Sequence, residues 1–523
     1  MLPRVIQRHL ANLPLDPPIW MLLVIVGVSI AEADDGETRP NVLMIAVDDL
    51  NDWVGFLGGH PQAQTPNMDR IAQRGTVFTN AHCASPACSP SRAAIFSGRA
   101  PWTTGVWSNS SKRLFKQHPD IKTFPDMFRV AGYTTMGTGK LMHSQRSANE
   151  RLFERHYNVE QRWSPLTRET VRYAEDEQPS KSSNQPRHVV NLGERQWVLP
   201  LNGLPSDRNP DNAEGESFDW GPLDVVDREM GDAKITDWAI EQIASSREQP
   251  FFLGVGYYRP HIPLWAPARY FERFEHQNVV LPSVTSNDLD DLSDSGRRWA
   301  IEAITAGLHS TVERSGQWGD AVKAYLACTT FVDAQIGRLL DALDASPHSD
   351  NTLIVLWSDH GWHLGEKQHW GKWTGWERST RVPLIVVPTK SNVASLGAAA
   401  TGGMGQRCDA PVSLLDLYPT LAHLCDLRVT DSIDGETLVP LLHDPGIETG
   451  RTVVSSLEPG TVAIRDQRWR LIRYDDGSLE LYDLQEDPNE WLNLADDQQH
   501  LETVRRLMAR IPRAALAGSP GVR

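Results

Sequence analysis

Four apolar runs of strand length each end at polar, chemically versatile residues. Asn41 to Val47 runs straight into Asp48 and Asp49. Tyr133 to Met136 leads through Gly137, Thr138 and Gly139 to Lys140. Phe251 to Val255 leads through Gly256 toward His261, and Thr352 to Trp357 stops at Ser358, Asp359 and His360. Runs that are apolar on both faces are strands covered on both sides. Between them lie stretches of helical period, such as Thr65 to Arg74 and Ala321 to Leu343. The alternation predicts an α/β fold: a large, mostly parallel sheet flanked by helices. Ligands bind such sheets beyond the carboxyl ends of the strands, and all four polar clusters fall there.

The pattern changes twice more. From about Ser144 to Asp219 the chain is polar, rich in Arg, Glu, Asn and Pro, and weakly periodic. It reads as a long surface excursion, either a substrate-shaping insert or plain loop. Near the C-terminus four short strand-like segments follow one another: Val453 to Ser456, Thr461 to Arg465, Trp469 to Tyr474 and Leu479 to Tyr482. Turns such as Asp475-Asp476-Gly477 separate them. They predict a small antiparallel sheet, followed by a helix from about Gln499 to Arg510. The expected organisation is a catalytic domain over 37–448 and a C-terminal α+β subdomain over 449–523.

The N-terminus reads as a signal peptide over residues 1–33. Arg4 and Arg8 precede an apolar stretch from Ile19 to Ala31 that is short for a bilayer span. Ala31-Glu32-Ala33 fits the small-x-small pattern of a cleavage site. The competing reading is an uncleaved membrane anchor. Cleavage predicts an exported protein, periplasmic, extracellular or lumenal, with no stable membrane insertion.

Composition narrows the partners. The 523 residues carry a formal net charge of −16 and no basic run, which argues against nucleic acid. A sulfated polymer would also be repelled at long range, so an anionic substrate needs a local cluster of cations or metal. Five cysteines, an odd number, argue against a disulfide framework.

The sharpest motif is Cys88-Ser89-Pro90-Ser91-Arg92, continued by Ala93 to Ser97, Gly98 and Arg99. Pro90 suits the first turn of a helix and Gly98 its end. Cys88 is then at a helix N-terminus, where backbone N–H groups favour an anion and lower a thiol pKa. A small buried thiol in a helix cap fits the same residues.

C-x-P-S-R followed by S-G-R resembles the signature of the type I sulfatases, within the alkaline phosphatase superfamily. The likeness runs from about Pro40 to Ala495 and is strongest to the iduronate-2-sulfatase branch. Supporting segments are Gly139-Lys140-Leu141-Met142-His143, Arg259-Pro260-His261-Ile262-Pro263, Ser358 to Glu366, Trp370-Gly371-Lys372 and Leu481-Tyr482-Asp483. The resemblance implies that a maturation enzyme converts Cys88 to Cα-formylglycine, whose hydrate is the nucleophile. It implies a divalent metal held by Asp48, Asp49, Asp359, His360 and residue 88. Calcium is expected, with manganese or magnesium open because His360 stands where many relatives have Asn. Arg92 is expected to hold residue 88 in place, and Lys140 and Lys372 to bind sulfate oxygens. His261, with Lys372, is the expected proton donor to the leaving alcohol, and His143 the expected base of the second step.

The expected activity is sulfuric ester hydrolysis on a sulfated sugar or polysaccharide such as a glycosaminoglycan. Two alternatives stay open: a phosphoester or phosphonate ester hydrolase, and an unmatured carbohydrate-binding protein. Trp357, Trp362, Trp370, Trp373 and Trp376 suit either sugar stacking or packing, packing being favoured. Trp362 and His363 are the foremost of these as substrate contacts. Glu377 and Arg381 read as partners of each other.

Overall fold

The computed structural model describes residues 39–109, 114–143, 145–159, 162–167, 188–208, 218–274, 278–305, 307–396 and 405–517. The signal peptide expected over 1–33 lies outside them, as does much of the excursion over 144–219. Among the described residues no helix is long and apolar enough to cross a membrane.

The four apolar runs form the centre of an eight-stranded sheet. Its strands are β1 (Asn41–Val47), β2 (Thr76–Phe78), β3 (Thr134–Gly139), β4 (Arg155–Tyr157), β5 (Phe251–Tyr257), β6 (Thr352–Ser358), β7 (Leu384–Val387) and β8 (Gln406–Cys408). Their order across the sheet is β8-β2-β7-β6-β1-β5-β3-β4. Only β7 runs against the rest. The strands expected to deliver Asp48, Asp359, His261 and Lys140 are therefore four adjacent parallel neighbours: β6, β1, β5 and β3.

Alternate residues of β1 face opposite sides, as a pleated strand requires. Val42, Met44 and Ala46 enter a core with Ile95 and Phe96 of the helix Cys88–Ser97. Leu43, Ile45 and Val47 enter another with Ile336, Leu339 and Leu343 of the helix Trp318–Asp344. With α1 as Pro66–Ala72, these two helices are α2 and α3. All the named core residues are fully buried, and each such side chain contributes roughly 1.5–3 kcal/mol.

The C-terminal strands form the predicted antiparallel meander: β9 (Val453–Glu458), β10 (Thr461–Arg465), β11 (Trp469–Arg473) and β12 (Leu479–Asp483). One face packs on Leu289, Trp299 and Trp376 of the larger body. The other is covered by Val504 and Leu507 of α4 (Leu501–Met508). The predicted helix from Gln499 is shorter than expected, because its first turn, Gln498–His500, is 3₁₀.

The excursion is not all loop. Gln145–Leu152 is helical, β4 extends the main sheet, and His188–Leu192 pairs with Arg195–Leu199 as a hairpin. Short polar strands at an edge carry no clear periodic signal, which hid them in the sequence.

Candidate active site

Cys88 is the first residue of α2, and Gly98 caps the far end in the left-handed conformation, φ 67°. The Cys88 thiol is fully buried. Its Sγ lies 3.0 Å from Lys372 Nζ, 3.2 Å from His360 Nε2, 3.8 Å from Lys140 Nζ and 4.0 Å from Asp49 Oδ1. Burial alone would raise the thiol's pKa, but Lys140 and Lys372 outweigh it and the net direction is down. An anion at this atom is thus favoured by two ammonium groups and a helix N-terminus together.

Arg92, one turn further along α2, explains the spacing of the motif. Its Nε donates to Asp359 Oδ2 at 2.8 Å and its Nη2 to Asp48 Oδ1 at 2.9 Å, with all three side chains fully buried. Its Nη1 donates to the carbonyls of Lys140 and Leu141. One guanidinium thereby ties α2 to the ends of β1, β6 and β3. Lys140 pairs with the other Asp48 oxygen, and Lys372 Nζ donates to Asp49 Oδ1 at 2.8 Å. Three cations balance three carboxylates in a closed network. Burial opposes every charge in it, and the opposite charges prevail for Asp48, Asp359, Lys140, Lys372 and Arg92. Asp49 is the exception: burial outweighs Lys372 and pushes it up to about 7.

That exception marks a deficit of positive charge. Asp49 Oδ2 is buried without a hydrogen-bond partner. Ligand atoms of Asp48, Asp49, Cys88 and His360 all lie within 4.8 Å of one another. His360 Nδ1 is 3.0 Å from the Gly361 carbonyl, so that nitrogen carries the proton and Nε2 faces the group. Burial lowers the His360 pKa, but Asp359 overrides it and lifts it to about 9. Two carboxylates, one of them with an orphaned oxygen, an imidazole and the side chain of residue 88 fit a divalent cation. Asp359, an expected ligand, touches this group: its Oδ2 lies 3.4 Å from His360 Nε2. Its Oδ1 accepts the backbone N–H groups of Asp49 and His360, and its Oδ2 is taken by Arg92.

His261 and His143 line the same pocket. His261 Nδ1 lies 2.6 Å from the Ile262 carbonyl and Nε2 lies 3.7 Å from Asp49 Oδ2. Burial, then Lys140 and Lys372, hold its pKa well below the ordinary value. The same causes hold His143 at about 3, and its Nδ1 is buried without a partner. All ten residues expected from the sequence are therefore brought together.

Several supporting residues were given no role from the sequence. Tyr325 of α3 donates its hydroxyl to the Asp49 carbonyl at 2.8 Å and accepts from the Asn51 N–H at 2.9 Å. It braces the turn in which Asp49 takes the uncommon φ of 59°. The Tyr258 ring lies 4.7 Å under Lys140 Nζ. Arg259, fully buried, donates to the carbonyls of Trp265, His261, Arg162 and Ser164, which shapes the loop bearing His261.

The aromatic residues pack. Trp362 is 1% exposed and lies beneath Lys372 Nζ, 5.6 Å from the ring centroid. His363 is buried between the Glu366 carbonyl and Thr374 Oγ1. Neither is open to a sugar, so the favoured reading, packing, holds for both of these foremost candidates for substrate contact. Trp357 backs Arg92, Trp370 packs near Trp220, and Trp373 and Trp376 join the core beneath the C-terminal sheet. Glu377 and Arg381 do not pair with each other. Glu377 bonds Arg470 and Arg381 bonds Asp52. The five cysteines are buried and none forms a disulfide.

The sulfatase family profile matches residues 40–427, and the profile of the N-sulphoglucosamine sulphohydrolase C-terminal region matches 365–516. A sulfatase of Formosa agariphila is 32% identical over 480 residues, 91% of this chain and 87% of the relative. Human iduronate 2-sulfatase is 29% identical over 448 residues, 79% of this chain and 74% of the relative. Among solved structures, one in complex with its substrate D-glucosamine-2-N,6-O-disulfate has a TM-score of 0.65 at 20% identity, covering 90% of this chain and 96% of that one. The phosphonate monoester hydrolase of Agrobacterium radiobacter has a TM-score of 0.67 at 20% identity, covering 90% and 95%. The chain belongs to the sulfatase family of the alkaline phosphatase superfamily and is a sulfuric ester hydrolase.

Proposed function

We propose that this protein is exported and removes sulfate from a sulfated sugar or polysaccharide, with Cys88 matured to Cα-formylglycine by a separate enzyme. The carrying observation is the placement of Cys88 Sγ within 3.0 Å of Lys372 Nζ and 3.2 Å of His360 Nε2. Sγ marks where the oxygens of a matured residue would lie. The hydrated aldehyde would supply the nucleophilic hydroxyl. Asp48, Asp49, His360 and residue 88 would hold a divalent cation, calcium being favoured by the carboxylates, which polarises the oxygens bound to it. Asp359, whose Oδ2 lies 3.4 Å from His360 Nε2, would complete that ligand set, orient Arg92 and help take the proton of the attacking hydroxyl.

The chain's own residues supply the rest. Arg92 fixes residue 88 against the strand ends. Lys140 and Lys372 present N–H donors where sulfate oxygens gain charge. Lys372 Nζ keeps its proton at neutral pH and delivers it, with His261, to the leaving oxygen. His261 is neutral at rest, so its role as donor requires the added negative charge of a bound ester. His143 is neutral with a vacant Nδ1, which suits it to take a proton from residue 88 as sulfate leaves.

The named activities of relatives support a sugar substrate: human iduronate 2-sulfatase, and the neighbour solved with a disulfated glucosamine. We also read 37–448 as the catalytic domain and 449–523 as its C-terminal subdomain. The test is mass spectrometry of the peptide containing residue 88, together with sulfate release from an aryl sulfate. An unconverted thiol in an active preparation sinks the mechanism. Preferred turnover of aryl phosphate or phosphonate esters sinks the substrate class.

A further inference from the structure

A second cationic feature lies at the same edge of the main sheet, away from Cys88. β8 runs parallel to β1 and stands four places from it, a lateral offset of about 19 Å at the usual strand spacing. Just past its carboxyl end, at Asp409, opens a cleft of about 460 Å³. The segment 445–452, the β10–β11 turn and the end of the C-terminal helix close its sides. Five arginines line it: Arg407, Arg451, Arg468, Arg506 and Arg510. No lysine does. This is an unusual concentration in a chain of net charge −16.

The arginines fall into two kinds. Arg451, Arg468 and Arg506 are ion-paired with Asp416, Asp483 and Asp466, which fix their positions. Arg407 and Arg510 have no carboxylate within ion-pair distance among the described residues. Arg407 Nη1 donates to the Phe56 carbonyl at 2.8 Å, and Arg510 Nη1 to the Gly450 carbonyl at 3.3 Å. Each guanidinium carries five N–H donors, so both keep donors for a ligand. Of the three acids on the wall, Asp409 is engaged by Thr79 Oγ1 and Asp466 by Arg506, while Glu448 is exposed to solvent. A planar fork that bonds two oxygens at once suits sulfate and carboxylate, where a lysine would offer a point charge.

We propose that this cleft is an anion subsite, in which Arg407 and Arg510 bind a sulfate or carboxylate carried by the polymeric substrate several sugars from the ester being cleaved. The proposal rests on the sulfated-polysaccharide reading above. It makes the enzyme favour long, multiply charged chains over single sugars.

The test uses the full matured chain and the double variant R407A/R510A, with R407K/R510K as the charge-retaining control. Fluorescence anisotropy with labelled dextran sulfate oligosaccharides of increasing length reads the cleft. Steady-state hydrolysis of a monosulfated aryl ester reads the catalytic site. The aryl ester should be cleaved equally by all three proteins. Long oligosaccharides should bind the Ala variant at least about tenfold more weakly than the wild type, with the Lys variant between them. Equal oligosaccharide binding by the wild type and the Ala variant overturns the subsite. So does inorganic sulfate competing as strongly as the oligosaccharide, since the ligand would then be the released product. No aryl ester hydrolysis by the wild type overturns the catalytic reading while the binding comparison still judges the cleft.

Discussion

Lys372 Nζ lies 3.0 Å from Cys88 Sγ, although 284 positions separate the two residues in sequence. The short turn after Trp370–Gly371 brings it there, and Asp49 Oδ1 holds it at 2.8 Å. The lysine thus touches the reacting position and one wall of the ion pocket at once. Replacing it with Ala should lower kcat by about 10²–10³-fold, the usual cost of one donor aimed at developing charge. Folding midpoints and kinetics on an aryl sulfate check this. A change confined to KM would assign Lys372 to ground-state binding alone.

The Arg92–Asp359 and Arg92–Asp48 pairs are wholly buried. Arg92→Ala strips Asp359 of its guanidinium partner and leaves Asp48 with Lys140 alone, and should cost about 3–5 kcal/mol of stability. Urea unfolding measures it. Arg92→Lys cannot span both carboxylates and the two carbonyls, and should recover only part of the loss.

Chelation should destabilise the fold as well as the activity. On the proposed reading Asp48 and Asp49 share a cation, and its withdrawal leaves their charges to repel and Asp49 Oδ2 without a partner. At an ion concentration about a hundred times its dissociation constant, the bound state gains about 2.7 kcal/mol. The thermal midpoint should fall on adding a chelator and recover with added calcium. A midpoint indifferent to both would remove the ion from the site.

Acid stability should depend on Glu377, far from the chemistry in function though near it in space. Burial would raise this carboxyl; Arg470 and then Arg465 outweigh it and hold it well below its usual range. A carboxyl depressed in the folded state contributes stability above its unfolded value, here 4.5, and loses it as pH falls through the folded value. Glu377→Gln should lower stability at neutral pH and flatten the decline below pH 4.5. Urea midpoints across pH 2–7, an interval of about 5 units spanning both states, decide the matter.

Gly98 ends α2 with φ 67°, and a methyl group there would meet Ile433 and Tyr418 at 2.9 Å. Gly98→Ala combines left-handed strain with overlap and should cost about 1–3 kcal/mol. An unchanged urea midpoint would mean that the helix end can relax.

Much of this site was legible in the sequence for one physical reason. Strands covered on both faces are continuously apolar, so the polar residue that ends each run announces the carboxyl edge. Asp48, Lys140, His261 and Asp359 were all readable in this way. Arg92 was readable from helix spacing, one turn from Cys88. The aromatic residues were not, because a tryptophan looks the same whether it faces a sugar or supports a lysine. Trp362 does the second. Glu377 misled because its partner, Arg470, comes from β11, 93 positions later. Tyr325 belongs to no motif, and Arg259, though inside the segment Arg259 to Pro263, carried no assigned role. Their roles depend on which carbonyl groups the fold places against them.

Tyr325 has a further consequence. α3 runs 27 residues from Trp318 to Asp344 and touches the ion pocket through this one hydroxyl, which clasps the backbone on either side of Leu50. The longest helix among the described residues is thereby a strut under the turn that presents Asp49. Mutations that tilt the helix, even several turns from the chemistry, should register first as weakened ion affinity, before the fold itself gives way.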